Sequence, residues 1–447
     1  MSHLAILGGG PAGLGVAFYA HRAGVPFALF EASAELGGMC RTLRCGDHLY
    51  DSGAHRFHDR DPEVTRDLLA LMGEDLVRVK APSAIWDLGR WIDFPPTPVN
   101  VLFAYGPREA GRIVVDLLRA GLRPRHPENS FEDFAVRRFG QTLARRILLN
   151  YSAKLWGLPT DQLSPDIATR RLQGMTLRSL VYELVFPGAK TEHVDGSFLY
   201  PRRGYGQIAE ALAATLPAAA IHTRHAITGL ECDGRAVTRV RFAGGGALDV
   251  EDRVVSTLPL PFLVSLLGDA VSEPVRAAAS RLRFRHVRLL FLRLKTERLS
   301  DKASIYIPDP AYCISRIYEP RNRSAAMAPA GETAAVVEVP YFQGDALDRL
   351  PDDAFTERVV NELAALRLVD PRDVVGSRLH VIPNAYPVYT SGYAASVRVI
   401  RDGLSGIANL EALGRSGRFV YSHLHDQLRF GKDYVRRLTD ALRANSA

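Results

Sequence analysis

Three glycines near the amino end of the chain, Gly8, Gly10 and Gly13, follow a short apolar run and precede a segment typical of a helix. In a strand–turn–helix unit the first glycine allows a tight turn, the second lets backbone N–H groups approach a pyrophosphate, and the third lets the helix pack on the strand. Glu31 ends the next apolar run, where a carboxylate can bind both ribose hydroxyls. The alternative is a glycine-rich turn in another α/β fold. We predict a dinucleotide site formed by Gly8, Gly10, Pro11, Ala12, Gly13 and Glu31.

A second glycine loop follows Glu31 and indicates which dinucleotide binds. Gly37 and Gly38 are adjacent, and Arg41 and Thr42 follow shortly after. FAD is long, so one turn holds its pyrophosphate while a second loop must approach the ribityl chain closely. This pattern resembles the second phosphate-contact loop of the flavoprotein superfamily of amine oxidases, protoporphyrinogen oxidases and UDP-galactopyranose mutases. The resemblance implies FAD as the cofactor, bound in part by Gly37, Gly38 and Arg41.

The stretch 127–170 carries aromatic and basic residues at a specific spacing. Tyr151 and Trp156 are five residues apart, and Arg170 follows fourteen residues later. The stretch resembles the substrate-domain signature of UDP-galactopyranose mutases and their FAD-containing relatives. The resemblance implies that the two rings flank a uracil and that the arginine holds a diphosphate, as flat rings and a planar guanidinium can. The alternative is that the aromatic residues belong to the core and that Arg170 is a surface charge.

Two further segments match the same family. Residues 51–58 resemble the mutase stretch that places a histidine against the flavin ring, with Ala54 where the family has proline, so His55 is the candidate. The alternative for His55 is a satisfied histidine in a turn. Residues 315–319 resemble the segment that carries a second diphosphate-binding arginine, which makes Arg316 a candidate. The alternative is that Arg316 pairs with a local partner such as Glu319.

A third segment near the carboxyl end completes the resemblance. In the family, a glycine–arginine pair lies beside the flavin, and a tyrosine six residues past that arginine touches the sugar phosphate. Gly414, Arg415 and Tyr421 have this spacing, and Tyr386 lies in a tyrosine-containing segment upstream. The resemblance places Gly414 and Arg415 with the cofactor and Tyr386 and Tyr421 with the substrate.

The last helix is predicted over residues 427–442, with Asp426 as its N-cap. The N–H groups at its start would favour negative charge on the flavin, so Asp426 is included among the cofactor-binding residues. The chain departs from the mutases here because His423 replaces an acidic residue two positions past Tyr421, and one extra residue precedes Asp426. These departures leave the sugar, and mutase activity itself, open.

Composition bounds the remaining possibilities. The chain has 447 residues, 47% hydrophobic and 23% charged residues, and a net charge of +7. The basic charge is scattered, which is typical of a solvated surface and also suits an anionic substrate or an acidic membrane face. We expect no nucleic-acid partner, no metal site, no signal peptide and no transmembrane segment, although a weak peripheral membrane contact stays open. Four cysteines without paired spacing favour the reducing cytoplasm. The oligomeric state stays open.

The glycine motif and the pattern of apolar residues predict an α/β fold, and the resemblance implies a Rossmann-type FAD-binding domain with an inserted mixed α+β substrate domain. We expect the FAD-binding domain to comprise residues 1–80, 196–260 and 395–447, and the substrate-binding domain 81–195 and 261–394. Residues 108–120 have helical spacing and either face the core or lie on a membrane. A helix begins at the cap-like residues 129–130, and short alternating strands run from 221 to 258. Residues 374–382 fit a strand better than a helix.

Two classes of reaction fit these residues. In the first, a mutase-type isomerase acts on a nucleotide-linked sugar such as a UDP-sugar, with His55, Arg170, Arg316 and Tyr421 as the catalytic set. In the second, an FAD-dependent oxidase or dehydrogenase takes a hydride from a small biosynthetic intermediate and passes electrons to an acceptor. The substrate-domain motifs favour the first reaction, and the double-glycine loop favours the second. A structural or sensory FAD protein is the remaining alternative.

Overall fold

The computed structural model describes residues 4–94, 96, 98–122, 127–171 and 197–446. Strands occur throughout these ranges and are numbered in chain order. They are β1 Leu4–Leu7, β2 Phe27–Phe30, β3 Thr42–Cys45, β4 His48–Asp51, β5 Leu76–Lys80, β6 Ser83–Asp87, β7 Arg90–Phe94, β8 Ser197–Pro201, β9 Ile221–His222, β10 Ile227–Cys232, β11 Val237–Phe242, β12 Ala247–Asp249, β13 Arg253–Ser256, β14 Phe284–Leu294, β15 Ser304–Tyr306, β16 Arg316–Tyr318, β17 Thr333–Tyr341, β18 Val374–Pro387 and β19 Leu410–Ala412.

The helices of the described residues are numbered in the same way. They are α1 Pro11–Arg22, α2 Pro62–Met72, α3 Pro98–Leu122, α4 Phe131–Phe139, α5 Gln141–Leu143, α6 Asn150–Trp156, α7 Asp166–Arg171, α8 Gly206–Ala214, α9 Leu260–Leu267, α10 Glu273–Ser280, α11 Asp352–Ala365, α12 Tyr393–Leu404, α13 Gly414–Gly417 and α14 Leu424–Ser446. A π-helical stretch, Ala144–Leu149, joins α5 to α6.

A five-stranded parallel sheet lies behind the glycine turn. Its strands run in the order β19-β13-β1-β2-β9, and each neighbouring pair is parallel. All four residues of β1 are buried, as expected of a central parallel strand with both faces covered. The sheet with α1 following β1 confirms the predicted α/β class and the Rossmann-type unit.

Helices α1 and α14 pack together beside this sheet. They lie close together at Gly15 and Gly431, where a Cβ on Gly431 would lie 2.6 Å from the backbone carbon of Gly15. Neither helix has room for a side chain at this crossing. Consequently the amino-terminal and carboxy-terminal parts of the chain approach to backbone contact.

A second, seven-stranded sheet has the order β18-β14-β17-β16-β15-β6-β7. Its neighbours are antiparallel except for the parallel pair β15 and β6. Every strand of this sheet falls within the segments predicted for the substrate domain, and every strand of the parallel sheet falls within those predicted for the FAD-binding domain. The domain boundaries themselves stay a prediction.

Most of the predicted local elements are confirmed. Strands β10, β11 and β12 form an antiparallel meander, and β13 returns to the parallel sheet. Ser130 caps α4 in a reciprocal arrangement with Asp133, which supplies the predicted helix start. Residues 374–387 form the strand β18 rather than a helix.

The helix predicted over 108–120 is longer than expected. It spans Pro98–Leu122 and is broken at Gly106, whose φ of 77° is outside the helical range. Ile113 is buried, whereas Val114 and Leu118 are 49% and 64% exposed. The apolar residues of this helix are therefore divided between the core and the solvent, which neither alternative anticipated alone.

Candidate active site

The glycine turn between β1 and α1 has the backbone geometry of a phosphate-binding cradle. Gly8 has a φ of 107°, which favours glycine. A Cβ on Gly13 would lie 1.9 Å from the carbonyl oxygen of Gly8, so the turn tolerates no side chain there. Gly10 is the N-cap of α1, and no side chain of the described residues caps that helix end. The first N–H groups of α1 are therefore available to an anion.

Glu31 lies at the carboxyl end of β2 and is held against the same turn. One carboxylate oxygen accepts a hydrogen bond from the N–H of Gly9 at 2.8 Å, and the other accepts from the N–H of Ser33 at 2.9 Å. These bonds fix the carboxylate in the wall of a cavity. A carboxylate fixed at this point can accept hydrogen bonds from the ribose hydroxyls, and its negative charge would repel a 2′-phosphate.

The second glycine loop packs directly on the first. The N–H of Gly37 donates to the carbonyl of Gly9 at 2.8 Å. A Cβ on Gly38 would lie 3.0 Å from the Cα of Gly10, so the two turns touch through their backbones. Gly38 lines the cavity, whereas the guanidinium of Arg41 lies 3.5 Å from Glu35. The cofactor contact predicted for Arg41 stays a prediction.

A cavity of about 530 Å³ is lined by both the turn and the second sheet. Gly8, Gly10, Pro11 and Ala12 line it at the Rossmann turn, and Ser83, Phe94 and Tyr306 line it at strands β6, β7 and β15. The chain thus brings residues from both sheets to one space. The other predicted residues in its wall are His55, Arg316, Tyr386, Gly414, Arg415 and Tyr421.

His55 lies in this wall as a neutral imidazole. Its ring stacks on Tyr205 with centroids 5.0 Å apart and is oriented by a hydrogen bond to the backbone of Met39. Burial, together with the neighbouring charge of Arg316, lowers the pKa of His55 to about 3. Its Nε2 is buried without a hydrogen-bond partner among the described residues. A buried polar atom in a cavity wall that lacks a partner is suited to a bound ligand.

Arg316 is paired, but with a different residue from the one expected. Its guanidinium binds the carboxylate of Glu338 in a bidentate manner at 2.7 and 2.9 Å. The local partner proposed from the sequence, Glu319, instead accepts from the backbone of Leu299 and the hydroxyl of Thr333. Arg316 and Glu338 lie directly opposite each other in the antiparallel pair β16–β17. The register of the sheet, rather than proximity in the sequence, therefore decides which carboxylate pairs with Arg316.

Arg415 lies between two tyrosine rings in the cavity wall. Its guanidinium is 5.2 Å from the ring centroid of Tyr386 and 4.7 Å from that of Tyr421. Gly414 has a φ of 81°, and a Cβ there would lie 2.7 Å from the Cβ of Ala12, so α13 packs tightly on the turn. The hydroxyl of Tyr386 is 3.5 Å from Arg316. The structure thereby joins two arginines and two tyrosines in one cluster.

Two residues of the 127–170 motif, Tyr151 and Trp156, are not among the side chains that line the cavity. Trp156 is 1% exposed and packs on Tyr389, so it presents no free ring face to a base. Tyr151 lines a small, mostly apolar chamber of about 70 Å³, which shares Phe94 and Tyr306 with the main cavity. The side chain of Arg170 lies outside the described residues. The uracil and diphosphate contacts implied by the resemblance stay predictions.

The prediction that Asp426 is the N-cap of the last helix is wrong. Helix α14 begins at Leu424 rather than at 427, so Asp426 occupies its third position and is not the N-cap. Its carboxylate accepts a hydrogen bond from the N–H of His423 at 2.7 Å. Asp426 therefore satisfies the donor that precedes the helix, while Leu424 and Gln427 of this helix line the cavity. The cofactor contact predicted for Asp426 stays a prediction.

The charged residues Glu338 and Arg56 are among the cavity residues that the analysis of the sequence did not identify. Glu338 binds Arg316 and also accepts the N–H of Ala54 at 3.0 Å, next to His55. Arg56 lines the cavity directly after His55 in the chain. A glutamate within an otherwise apolar strand was a signal that could have identified Glu338.

Lys154, which lies between Tyr151 and Trp156 in the sequence, has a structural role, because its amino group donates to the carbonyls of Ile307, Asp309 and Ile314.

The chain belongs to the family of flavin-containing amine oxidoreductases, whose model matches residues 11–410. It is similar to a reduced UDP-galactopyranose mutase, with a TM-score of 0.87 and 20% identity over 99% of this chain and 94% of the other. It is also similar to a candidate protoporphyrinogen oxidase from Exiguobacterium sp. 255-15, with a TM-score of 0.76 and 20% identity over 98% of both chains. It is similar as well to a CLA-producing fatty acid isomerase from P. acnes, with a TM-score of 0.67 and 16% identity over 98% of both chains. At these identities the similarity concerns the fold.

These findings confirm the superfamily inferred from the sequence and FAD as the cofactor, and they make the chain an enzyme. The residues present fit FAD: the first glycine turn leaves the start of α1 without a side-chain cap, Glu31 lines the same cavity, and Nε2 of His55 has no partner among the described residues. No helix of the described residues is long and apolar enough to cross a membrane. Within the same part of the chain, no cluster of side chains has the composition of a metal site.

Proposed function

We propose that this enzyme carries out flavin-mediated, mutase-type chemistry on a nucleotide-linked sugar. The observation that carries the proposal is the cluster of Arg316, Tyr386, Arg415 and Tyr421, which lies in the same cavity as the Rossmann turn. Guanidinium and phenol groups together suit a sugar phosphate. The fold similarity to a UDP-galactopyranose mutase over 99% of the chain supports this choice.

The residues of the site have distinct parts in this reaction. Bound FAD supplies either a nucleophilic ring nitrogen or a hydride acceptor, according to its redox state. Arg415 and the hydroxyl of Tyr421 would bind the phosphate next to the sugar. Neutral His55 would accept a hydrogen bond at Nε2 and hold no charge there, because its pKa is about 3. The enclosing sheet β14–β18 would exclude water from the reacting carbon.

The proposal is tested by titrating the FAD-loaded protein with UDP and uridine, using calorimetry and the visible flavin spectrum. We expect UDP to bind and to perturb the flavin, and uridine to bind weakly because it lacks phosphate. Tyr421→Phe should weaken UDP binding, whereas Arg119→Met, which changes an exposed arginine on α3, should leave it unchanged. Equal binding of UDP and uridine, or no binding of either, would refute the proposed nucleotide substrate.

A second candidate is an FAD-dependent oxidase or dehydrogenase acting on a small biosynthetic intermediate. Two observations favour it: Glu338 already neutralises Arg316, and Trp156 is within the core. Both residues are therefore less available to a nucleotide than the sequence resemblance implies. Formation of hydrogen peroxide, or reduction of an artificial electron acceptor, during a screen of amines, alcohols and isoprenoid compounds would identify this activity. The absence of both, together with UDP binding, would reject it.

We also infer that the protein works in the cytoplasm. All four cysteines, Cys40, Cys45, Cys232 and Cys313, are free, which suits a reducing compartment. Fractionation of cells that express the tagged protein, with detection in the soluble and the membrane fractions, tests this inference. Recovery in an extracellular fraction would contradict it.

A further inference from the structure

Arg56 is a cavity cation that the proposed reaction does not use. Its guanidinium donates a hydrogen bond to the hydroxyl of Ser83 and lies 4.9 Å from the ring centroid of Phe198. No ion pair joins it to a carboxylate in the described part of the chain. Burial lowers the pKa of Arg56 to about 10, so the group still carries its charge at neutral pH. A half-buried charge without an acidic partner is costly unless something else neutralises it.

The charged groups around Arg56 do not neutralise its guanidinium. The groups with the strongest electrostatic influence on it are the phenol of Tyr306 and two further arginines, Arg323 and Arg316. Arg316 has its own carboxylate in Glu338. Arg323 is buried, donates to Ser304 and lies against the ring of Tyr318. This end of the cavity therefore holds more positive than negative charge, and among the described residues Arg56 has no carboxylate partner there, unlike Arg316.

We propose that Arg56 and the hydroxyl of Ser83 bind an anionic group of the substrate, either a phosphate or a carboxylate. The two residues come from different elements, the loop after β4 and the start of β6, and both line the cavity beside Tyr306. The inference deepens the proposed function, because it assigns a residue to the anionic part of the substrate. It differs from the sequence prediction, which assigned that part to Arg170 and Arg316.

The surroundings of the site limit the neighbouring part of the substrate. Phe94 and Tyr306 separate the cavity from the apolar chamber lined by Ile85, Ile147 and Leu148. An anion held by Arg56 would consequently have an apolar surface on one side. A nucleotide phosphate and the carboxylate of an aliphatic acid are both anions that a guanidinium can bind. An aliphatic acid would bind more tightly than a short carboxylate only if its hydrocarbon chain enters the apolar chamber.

The experiment measures anion binding to the FAD-loaded protein by calorimetry, with UDP, inorganic pyrophosphate, acetate and octanoate as ligands. Arg56→Met should lose about tenfold to hundredfold in affinity for the anion that binds, which corresponds to one hydrogen bond to a charged group. Arg56→Lys should recover part of the loss, because it restores the charge without the planar fork. Arg119→Met, which removes an exposed arginine, is the matched control and should bind like the wild type.

The outcomes separate this site from the proposed function. If UDP binds equally well to the wild type and to Arg56→Met, the Arg56 site is wrong and the nucleotide proposal is unaffected. If UDP fails to bind and octanoate binds through Arg56 more tightly than acetate, the nucleotide proposal is wrong and the anion site stands. Loss of FAD from folded Arg56→Met would assign the arginine to the cofactor and overturn the inference. Should Arg56→Met not fold, Ser83→Ala tests the same site through its hydroxyl.

Discussion

The two ends of the cavity are built by different means. At the Rossmann turn, the shape of the wall depends on the absence of side chains, since a Cβ on Gly13 or Gly38 would meet the backbone. At the second sheet, the charge of the wall depends on which side chains neutralise one another, as Arg316 and Glu338 do. The positions of the glycines in the sequence indicate directly where the backbone needs space, whereas the pairing of charges depends on strand register. This difference explains why the first end could be predicted from the sequence and the second could not.

The largest effect is expected from Gly13→Ala, which tests the turn. The added Cβ would meet the carbonyl oxygen of Gly8 at 1.9 Å, so the backbone of the turn has to move and the phosphate cradle is lost. We expect the purified variant to contain little or no FAD, as measured by its visible absorbance per protein. Gly111→Ala on the exposed face of α3, where a Cβ has nothing within 4 Å, is the control and should keep its flavin. Normal FAD content in Gly13→Ala would contradict the assigned cradle.

The next prediction tests the charge pair at the other end. Glu338→Gln leaves the guanidinium of Arg316 buried without its carboxylate, which should cost roughly 3–5 kcal/mol in the free energy of unfolding. Chemical denaturation of the variant and of the wild type measures this difference. The double variant Arg316→Met with Glu338→Gln removes the unpaired charge and should recover much of the loss. A double variant no more stable than Glu338→Gln would show that the pair is not the source of the stability.

A smaller effect is expected at Trp156, where the sequence and the structure disagree about its role. Trp156→Phe removes part of a buried ring and should lower stability by roughly 1–3 kcal/mol, as for other cavity-forming changes in a core. Because the ring is 1% exposed, UDP affinity should stay within about twofold of the wild type. Calorimetry on the folded variant measures the affinity. A selective loss of UDP binding at unchanged stability would restore the base-stacking role implied by the resemblance.

The smallest effect concerns pH. Burial lowers the pKa of both His55 and His58 to about 3, from an ordinary value near 6.5. Between these values the unfolded chain binds protons that the folded protein does not, so folding stability is complete above about pH 6.5 and falls as the pH drops towards 3. We expect the melting temperature to be lower at pH 5 than at pH 7, and His58→Gln to reduce this difference. His21→Gln, at an exposed position, is the control. An unchanged pH dependence in His58→Gln would show that this histidine is not responsible.

Much of the fold and about half of the site followed from local patterns in the sequence. The glycines of the two turns and Glu31 could be identified because each has a backbone or spacing requirement that few other residues satisfy. The partner of Arg316 could not be identified, since Glu338 is 22 positions away and only the pairing of β16 with β17 brings the two together. The burial of Trp156 also depended on packing between distant segments. Spacing alone does not distinguish an aromatic residue of the core from one in a binding site.

The origin of the parallel sheet in three separated parts of the chain has a consequence for its biosynthesis. Its edge strand β19 ends at Ala412, and Gly414 and Arg415 follow at once. A ribosome must therefore translate past Ala412 before the sheet can acquire its last strand. Until then, Gly15 on α1 lacks the helix that covers it. The apolar surface of the unfinished sheet should consequently stay exposed until β19 and α14 are made, and removal of residues 410–446 should be as damaging to flavin binding as a change in the first turn.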